Sequence, residues 1–176
     1  MIPALPVPRD ADRMESTAMQ PASFDVLITD ISEADLAHLG RDHFGFERLS
    51  LASPADARFP ARGVIYGANR RVFVPLTVRH SSGEPVRVFF LVDTGAPSTF
   101  LREDTLHALG FVDSVPSAPN VFINGIKISV GLSHGHFANV DLLGADFLFH
   151  ARTTVTVNYA ALECLIDVPA ATGGGT

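Results

Sequence analysis

A mostly β domain is predicted for residues 67–168, on three observations. Apolar residues recur at Val72, Val74, Leu76 and Val78, the period of two that marks a half-buried strand. Residues 86–92, VRVFFLV, form a second run that becomes apolar on both faces towards its end, as expected of a strand entering a core. Asn124-Gly125 then sits between two apolar runs in VFINGIKISV, the pairing that a type I′ hairpin turn favours.

The remaining elements follow in chain order. Residues 1–22 mix Pro, Arg, Asp, Met and Ser without period and predict a flexible arm. Residues 23–66 form an extension of α/β character. Phe24, Val26 and Ile28 alternate as in a short strand, Ser32 and Asp35 have the spacing of a helix N-cap, and Gly40 is expected to stop that helix. In the main domain, HSSGEP supplies turn chemistry between the first two strands, and Pro75 suggests an edge position for the first of them. After DTGAPS the chain resumes an extended path at TFL. REDTLHALG reads as a short helix, with acidic residues in its first turn and Gly110 as its stop. FANVDLLGADFLF reads as a buried strand, a Gly and a second short helix, and TTVTVNYAALECLI as a closing pair of strands. ATGGGT completes a flexible tail over 169–176.

Composition narrows the function. The net charge is −6, and the cations are 12 Arg and the single Lys127 without a basic cluster, so no phosphate-neutralising surface and no nucleic-acid partner is expected. No apolar run approaches the ~20 residues that cross a bilayer, which predicts no membrane partner. The first residues lack the pattern of a secretory signal, and Cys164 stands alone, so an intracellular, cytoplasmic home is the expectation.

One stretch demands a chemical explanation. In VFFLVDTGAPST five apolar residues run directly into Asp93, yet an ionised carboxylate leaves water only if it is paired, hydrogen-bonded or reprotonated. A bland reading makes Asp93-Thr94-Gly95 an ordinary surface turn, and the tripeptide alone is common enough to arise by accident. The apolar strand before it, the Ala and Ser/Thr after it, and Leu142-Leu143-Gly144 some fifty positions on form a more specific combination.

That combination resembles the retropepsin-like aspartic proteases. FFLVDTGAPST is similar to their active-site turn, VDLLGADFL to their second signature, and the order of elements from Val72 to Ile166 to their single lobe. Within the family, the helix after the Asp turn is more similar to cellular members of the DNA-damage-inducible type, or to retroelement proteases, than to compact retroviral enzymes. The resemblance implies a single-lobed acid protease fold closed by homodimerisation, with two short helices. It also implies an endopeptidase in which two copies of Asp93 share a proton, one carboxylate acting as general base on a water and the other as general acid on the peptide carbonyl. Thr94 would reach across the dimer axis, Gly95 would offer its N–H to the carboxylate, and Ala96 would lie beneath the substrate. Leu142, Leu143 and Gly144 would flank the site from the core. The substrate would be an extended polypeptide, with hydrophobic residues at the scissile bond and no metal or other cofactor.

One departure stands out. Retroviral members of the family close a Gly-rich hairpin flap over the substrate, whereas here only FVDSVPSAPN lies between Gly110 and Val121. An open cleft, slow turnover or a substitute lid drawn from residues 23–66 is therefore expected. A retropepsin-like fold that binds peptides or dimerises with little hydrolysis is the rival reading; a retroelement protease with a processed N-terminal flank is a variant of the first. Among other residues, His134 and His136 have a spacing that metal ligands could use but no acidic or Cys neighbour, and read as solvated loop residues. His38, His43, His107 and His150 show no partners in the sequence. Cys164 reads as a buried strand thiol, Asp146 as a helix-start charge, and Asp113 and Asp141 as loop residues.

Overall fold

The computed structural model describes residues 30–81, 83–112 and 116–169. The predicted arm, the predicted strand at Phe24–Ile28, Asp113 and all but the first residue of the predicted tail lie outside the described residues.

Among the described residues the fold is mostly β, a single mixed sheet with a few short helices. The strands are β1 (Ala61–Tyr66), β2 (Arg71–Arg79), β3 (Val86–Val92), β4 (Phe100–Leu101), β5 (Asn120–Ile123), β6 (Ile126–Ser129), β7 (Gly131–Leu132), β8 (Asp141–Leu143), β9 (Thr154–Asn158) and β10 (Glu163–Asp167). The helices are α1 (Glu33–His38), α2 (Glu103–Ala108) and α3 (Ala145–His150). The sheet runs β7-β4-β8-β3-β2-β1-β10-β9, with the β5–β6 hairpin branching from β2. β2 and β3 pair antiparallel with Val74 opposite Phe90, while β3 and β8 pair parallel with Leu91 beside Leu142. The hairpin at Asn124-Gly125 forms as expected, both residues taking positive φ angles of 43° and 83°.

β3 is apolar on both faces because each face meets its own core. Val88 and Phe90 pack with Val74, Leu76, Leu101 and Leu143 on one side. Phe89 and Leu91 pack on the other with Ile31, Leu36, Leu39 and Phe73. The second cluster is built by α1, whose start is the expected one: Ser32 and Asp35 form a reciprocal capping box.

The structure departs from the sequence-based expectation in four places. Gly40 does not stop the first helix. The chain widens into a π-type turn over Leu39–Phe44 and ends at Gly45, because the Gly40 carbonyl accepts from both Gly45 N–H and Phe46 N–H. Pro75 does not mark an edge, since β2 is paired on both sides. Thr77, two residues on, directs its N–H and carbonyl away from β3 to Asn124, so the N–H that Pro75 lacks would face the interval where β2 passes from β1 to β5. The extension is not separable at residue 66: β1 lies between β2 and β10, and α1 packs through Leu36 on the sheet face that holds Phe89, Leu91 and Leu142. Asp141 is not a loop residue, because it opens β8 and is only 1% exposed.

Candidate active site

Asp93 stands where β3 ends. Its N–H donates to the Leu143 carbonyl at 3.1 Å, continuing the parallel β3–β8 ladder one residue into the turn. Gly95 N–H donates to Asp93 Oδ1 at 2.9 Å, and Ala96 N–H to the Asp93 carbonyl at 3.2 Å. The side chain is therefore oriented by its own turn, the local geometry that Asp followed by a small residue favours. Asp93 is half-buried; Thr94 and Gly95 are exposed, and the Thr94 hydroxyl makes no hydrogen bond among the described residues.

The turn is braced from below by the start of α3. Ala145 N–H donates to the Ala96 carbonyl at 2.8 Å. Thr99, fully buried, donates its hydroxyl to Asp146 Oδ1 at 2.6 Å and its N–H to Asp146 Oδ2 at 3.1 Å, and accepts from Gly144 N–H at 3.1 Å. Gly144 permits this contact, since a Cβ there would sit 2.3 Å from the Ser98 carbonyl oxygen. Leu142 and Leu143 are buried in opposite cores, on the two faces of β8. Asp146, which the sequence suggests only as a helix-start charge, thus has a second role: it ties the turn to α3. Thr99 was legible as part of the DTGAPST stretch but not as its anchor.

A second set of polar groups underlies β8. Asp141 accepts from Arg102 N–H at 2.8 Å and from the Thr105 hydroxyl at 3.1 Å, with Arg48 at 3.5 Å. Burial pushes its pKa up to about 6, against the lowering by the Arg102 N–H, the Arg48 charge and the Thr105 hydroxyl. Arg48 and Arg102 also pair with Asp104, and Arg102 with Glu33 of α1, so one charge network joins α1, α2 and β8.

Asp93 opens into a cleft of about 630 Å³. Leu91, Val92, Ala96, Phe100, Phe137 and Leu142 supply its apolar wall, and Asp93 is the only acid among the described residues that line it. The tertiary fold also brings in groups that the sequence does not associate with Asp93: Asn69 and Arg70 from the β1–β2 turn, Arg71 from the start of β2, and His134 and His136 from the segment before β8. Arg71 and Asn69 both bond Asp30, at 2.9 and 2.8 Å, and the Arg71 guanidinium holds that carboxyl below its usual range. His134 and His136 pack on the Phe137 ring at 4.7 and 5.2 Å, and no metal-binding cluster is found among the described residues. The described part of 111–120 does not line the cleft. The β5–β6 hairpin is docked on β2 through Asn124 and lies away from the cleft.

Elsewhere, His38 Nδ1 lies 2.6 Å from Asp42, and the His38 and His43 rings pack on Tyr66. Cys164 is buried in β10, where burial pushes its thiol up to about 11, the state of an inert hydrophobe. No helix among the described residues is long and apolar enough to cross a membrane.

No protein-family model matches the chain, and no curated protein matches it. Among solved structures it is similar to a retropepsin-like aspartic protease from Rickettsia conorii, at 17% identity and a TM-score of 0.44 over 62% of this chain and 94% of that one. It is also similar to the retroviral protease-like domain of Ddi1 from Leishmania major, at 16% identity and a TM-score of 0.35 over 50% of this chain and 80% of that one.

Proposed function

We propose that this chain is a retropepsin-like aspartic endopeptidase, active as a homodimer on extended polypeptides. The observation that carries the proposal is the setting of Asp93: a carboxylate oriented by Gly95 N–H, braced through Thr99 and Asp146, and the only acid among the described residues that line a cleft with an apolar wall. A lone carboxylate is half of an acid–base pair, and a two-fold axis through the exposed Thr94-Gly95 edge supplies the other half from Asp93 of the partner subunit.

Two such carboxylates about 3 Å apart hold one proton between them. The ionised member takes a proton from water as its oxygen attacks the peptide carbon, and the protonated member gives its proton to the carbonyl oxygen. Collapse of the resulting diol breaks the C–N bond: the amine leaves with the proton taken from water, and one diol hydroxyl returns its proton to the pair of carboxylates as the new C=O forms. In this reading Thr94 bonds the facing turn across the axis, Ala96 lies against the substrate, and neither metal nor cofactor takes part. An intracellular, cytoplasmic setting belongs to the same proposal and draws on the single, buried Cys164.

The open cleft favours a second reading, a peptide-binding or dimerisation module with little hydrolysis, because none of the described residues of 111–120 reaches over Asp93. Incubating a diverse peptide library with the wild-type protein and with Asp93→Asn from pH 3 to 8, with products identified by mass spectrometry, separates the two. Cleavage that disappears in the variant is the expected result; no cleavage by a folded wild-type dimer leaves the binding module.

A further inference from the structure

Apart from Asp93, the polar side chains that line the cleft, those of Asn69, Arg70, Arg71, His134 and His136, can all donate hydrogen bonds. Arg71 is engaged by Asp30 at 2.9 Å. Arg70 is exposed on the turn just before it, donates to the Gly67 carbonyl at 3.3 Å and has no carboxylate partner among the described residues. The His134 ring is oriented by Phe100 and Phe137, at 5.9 and 4.7 Å, while its nitrogens make no hydrogen bond among the described residues. These groups share the cleft with the apolar wall made by Leu91, Phe100, Phe137 and Leu142.

We infer that the cleft selects extended peptides carrying an Asp or Glu side chain near an apolar residue seated over Asp93, with Arg70 as counter-ion and His134 as a further donor. The inference deepens the proposed function by naming a substrate class, and it rests on the cleft being a peptide site. A guanidinium without an acidic partner gains most from a carboxylate that it can hold through two parallel hydrogen bonds. Asp93 repels an acid placed directly over it, so the acidic residue belongs a short distance along the strand. Side chains on one face of an extended peptide recur about every 7 Å, which lets the apolar and acidic groups enter the cleft together.

The test is binding, kept apart from turnover. Full-length Asp93→Asn retains an oxygen to accept from Gly95 N–H. It is titrated with acetylated ten-residue peptides that hold a central Phe-Leu pair and carry Glu or Gln at each neighbouring position in turn. At least one Glu peptide is expected to bind about one-and-a-half- to fivefold more tightly than its Gln twin at low salt, the range of an exposed charge pair. That ratio should fall to about one when Arg70→Ala is added, and shrink with His134→Ala. Adding Arg70→Glu should shift the preference to a Lys peptide. Equal binding of Glu and Gln peptides, failure of every peptide to bind, or a Glu preference that survives in both Arg70 variants overturns the inference. Wild-type protein run on the same peptides separates the two claims. Cleavage without acidic preference removes this inference alone, whereas acidic preference in binding without cleavage removes only the hydrolytic reading.

Discussion

Thr99 and Asp146 join the two halves of the candidate site: the Thr99 hydroxyl and N–H both donate to the Asp146 carboxylate, at 2.6 and 3.1 Å. The contact spans 47 positions and ties the turn carrying Asp93 to the first turn of α3. Thr99→Val keeps the shape but removes the donor to Asp146 and the acceptor for Gly144 N–H. The expected cost is about 2–3 kcal/mol in urea unfolding, with Thr99→Ser recovering most of it.

Gly144→Ala should be worse than its size suggests. The added Cβ meets the Ser98 carbonyl oxygen at 2.3 Å and its carbon at 2.4 Å, both backbone atoms. Relief requires the Asp turn to move, so a loss of about 3 kcal/mol in stability and loss of peptide turnover are expected together. Unfolding curves measured beside the cleavage assay check this.

Asp141 should give the stability an unusual pH slope. Its folded pKa, about 6, lies above the ordinary carboxylate value of 3.8. The folded state therefore holds this proton more tightly, and the contribution is fully present below about pH 4 and lost as pH rises through 6. A shift of this size corresponds to about 3 kcal/mol. Asp141→Asn removes that component, so the stability of wild type minus that of the variant should be larger at pH 4 than at pH 7 in paired denaturant titrations.

Leu39→Ala tests the role of the N-terminal segment. Leu39 is fully buried against the face of the sheet that holds Phe89 and Leu91. Its truncation should destabilise the whole domain by about 2–5 kcal/mol in a single cooperative transition. A segment acting only as a removable cover would instead leave the unfolding midpoint in place.

If two copies of Asp93 form one site, subunit mixing has a defined result. Equal amounts of wild type and Asp93→Asn, exchanged to equilibrium, should leave about one quarter of dimers with both carboxylates. Turnover per wild-type chain should then fall to about half, whereas independent monomeric sites would keep turnover per wild-type chain unchanged. Sedimentation across a concentration series provides the dimer fraction for the same samples.

Much of the fold was legible from local pattern. The alternation in β2, the apolar run of β3, the Asn124-Gly125 turn, the Ser32 cap and the Leu142-Leu143-Gly144 segment all appear where residue order predicts them. The misreadings share a cause. Pro75 and Gly40 have strong local preferences, but a gap between two pairing partners and a close approach to Phe46 decided their roles. Asp141 resembles any polar residue in a turn-rich stretch until Arg48, Arg102 and Thr105 are brought around it.

Residue order by itself therefore determined the strand periods, the turns and Asp93 at the end of an apolar strand, because these depend on neighbours a few positions apart. Tertiary structure alone decided what faces Asp93. Asn69, Arg70, His134 and His136 are distant from it in sequence, and they reach one cleft only because β2 pairs with β3 and β8 lies parallel beside it. Local propensity acts over a turn or a strand, whereas a cleft is made where separate segments meet, and their meeting is set by which faces the two cores bury.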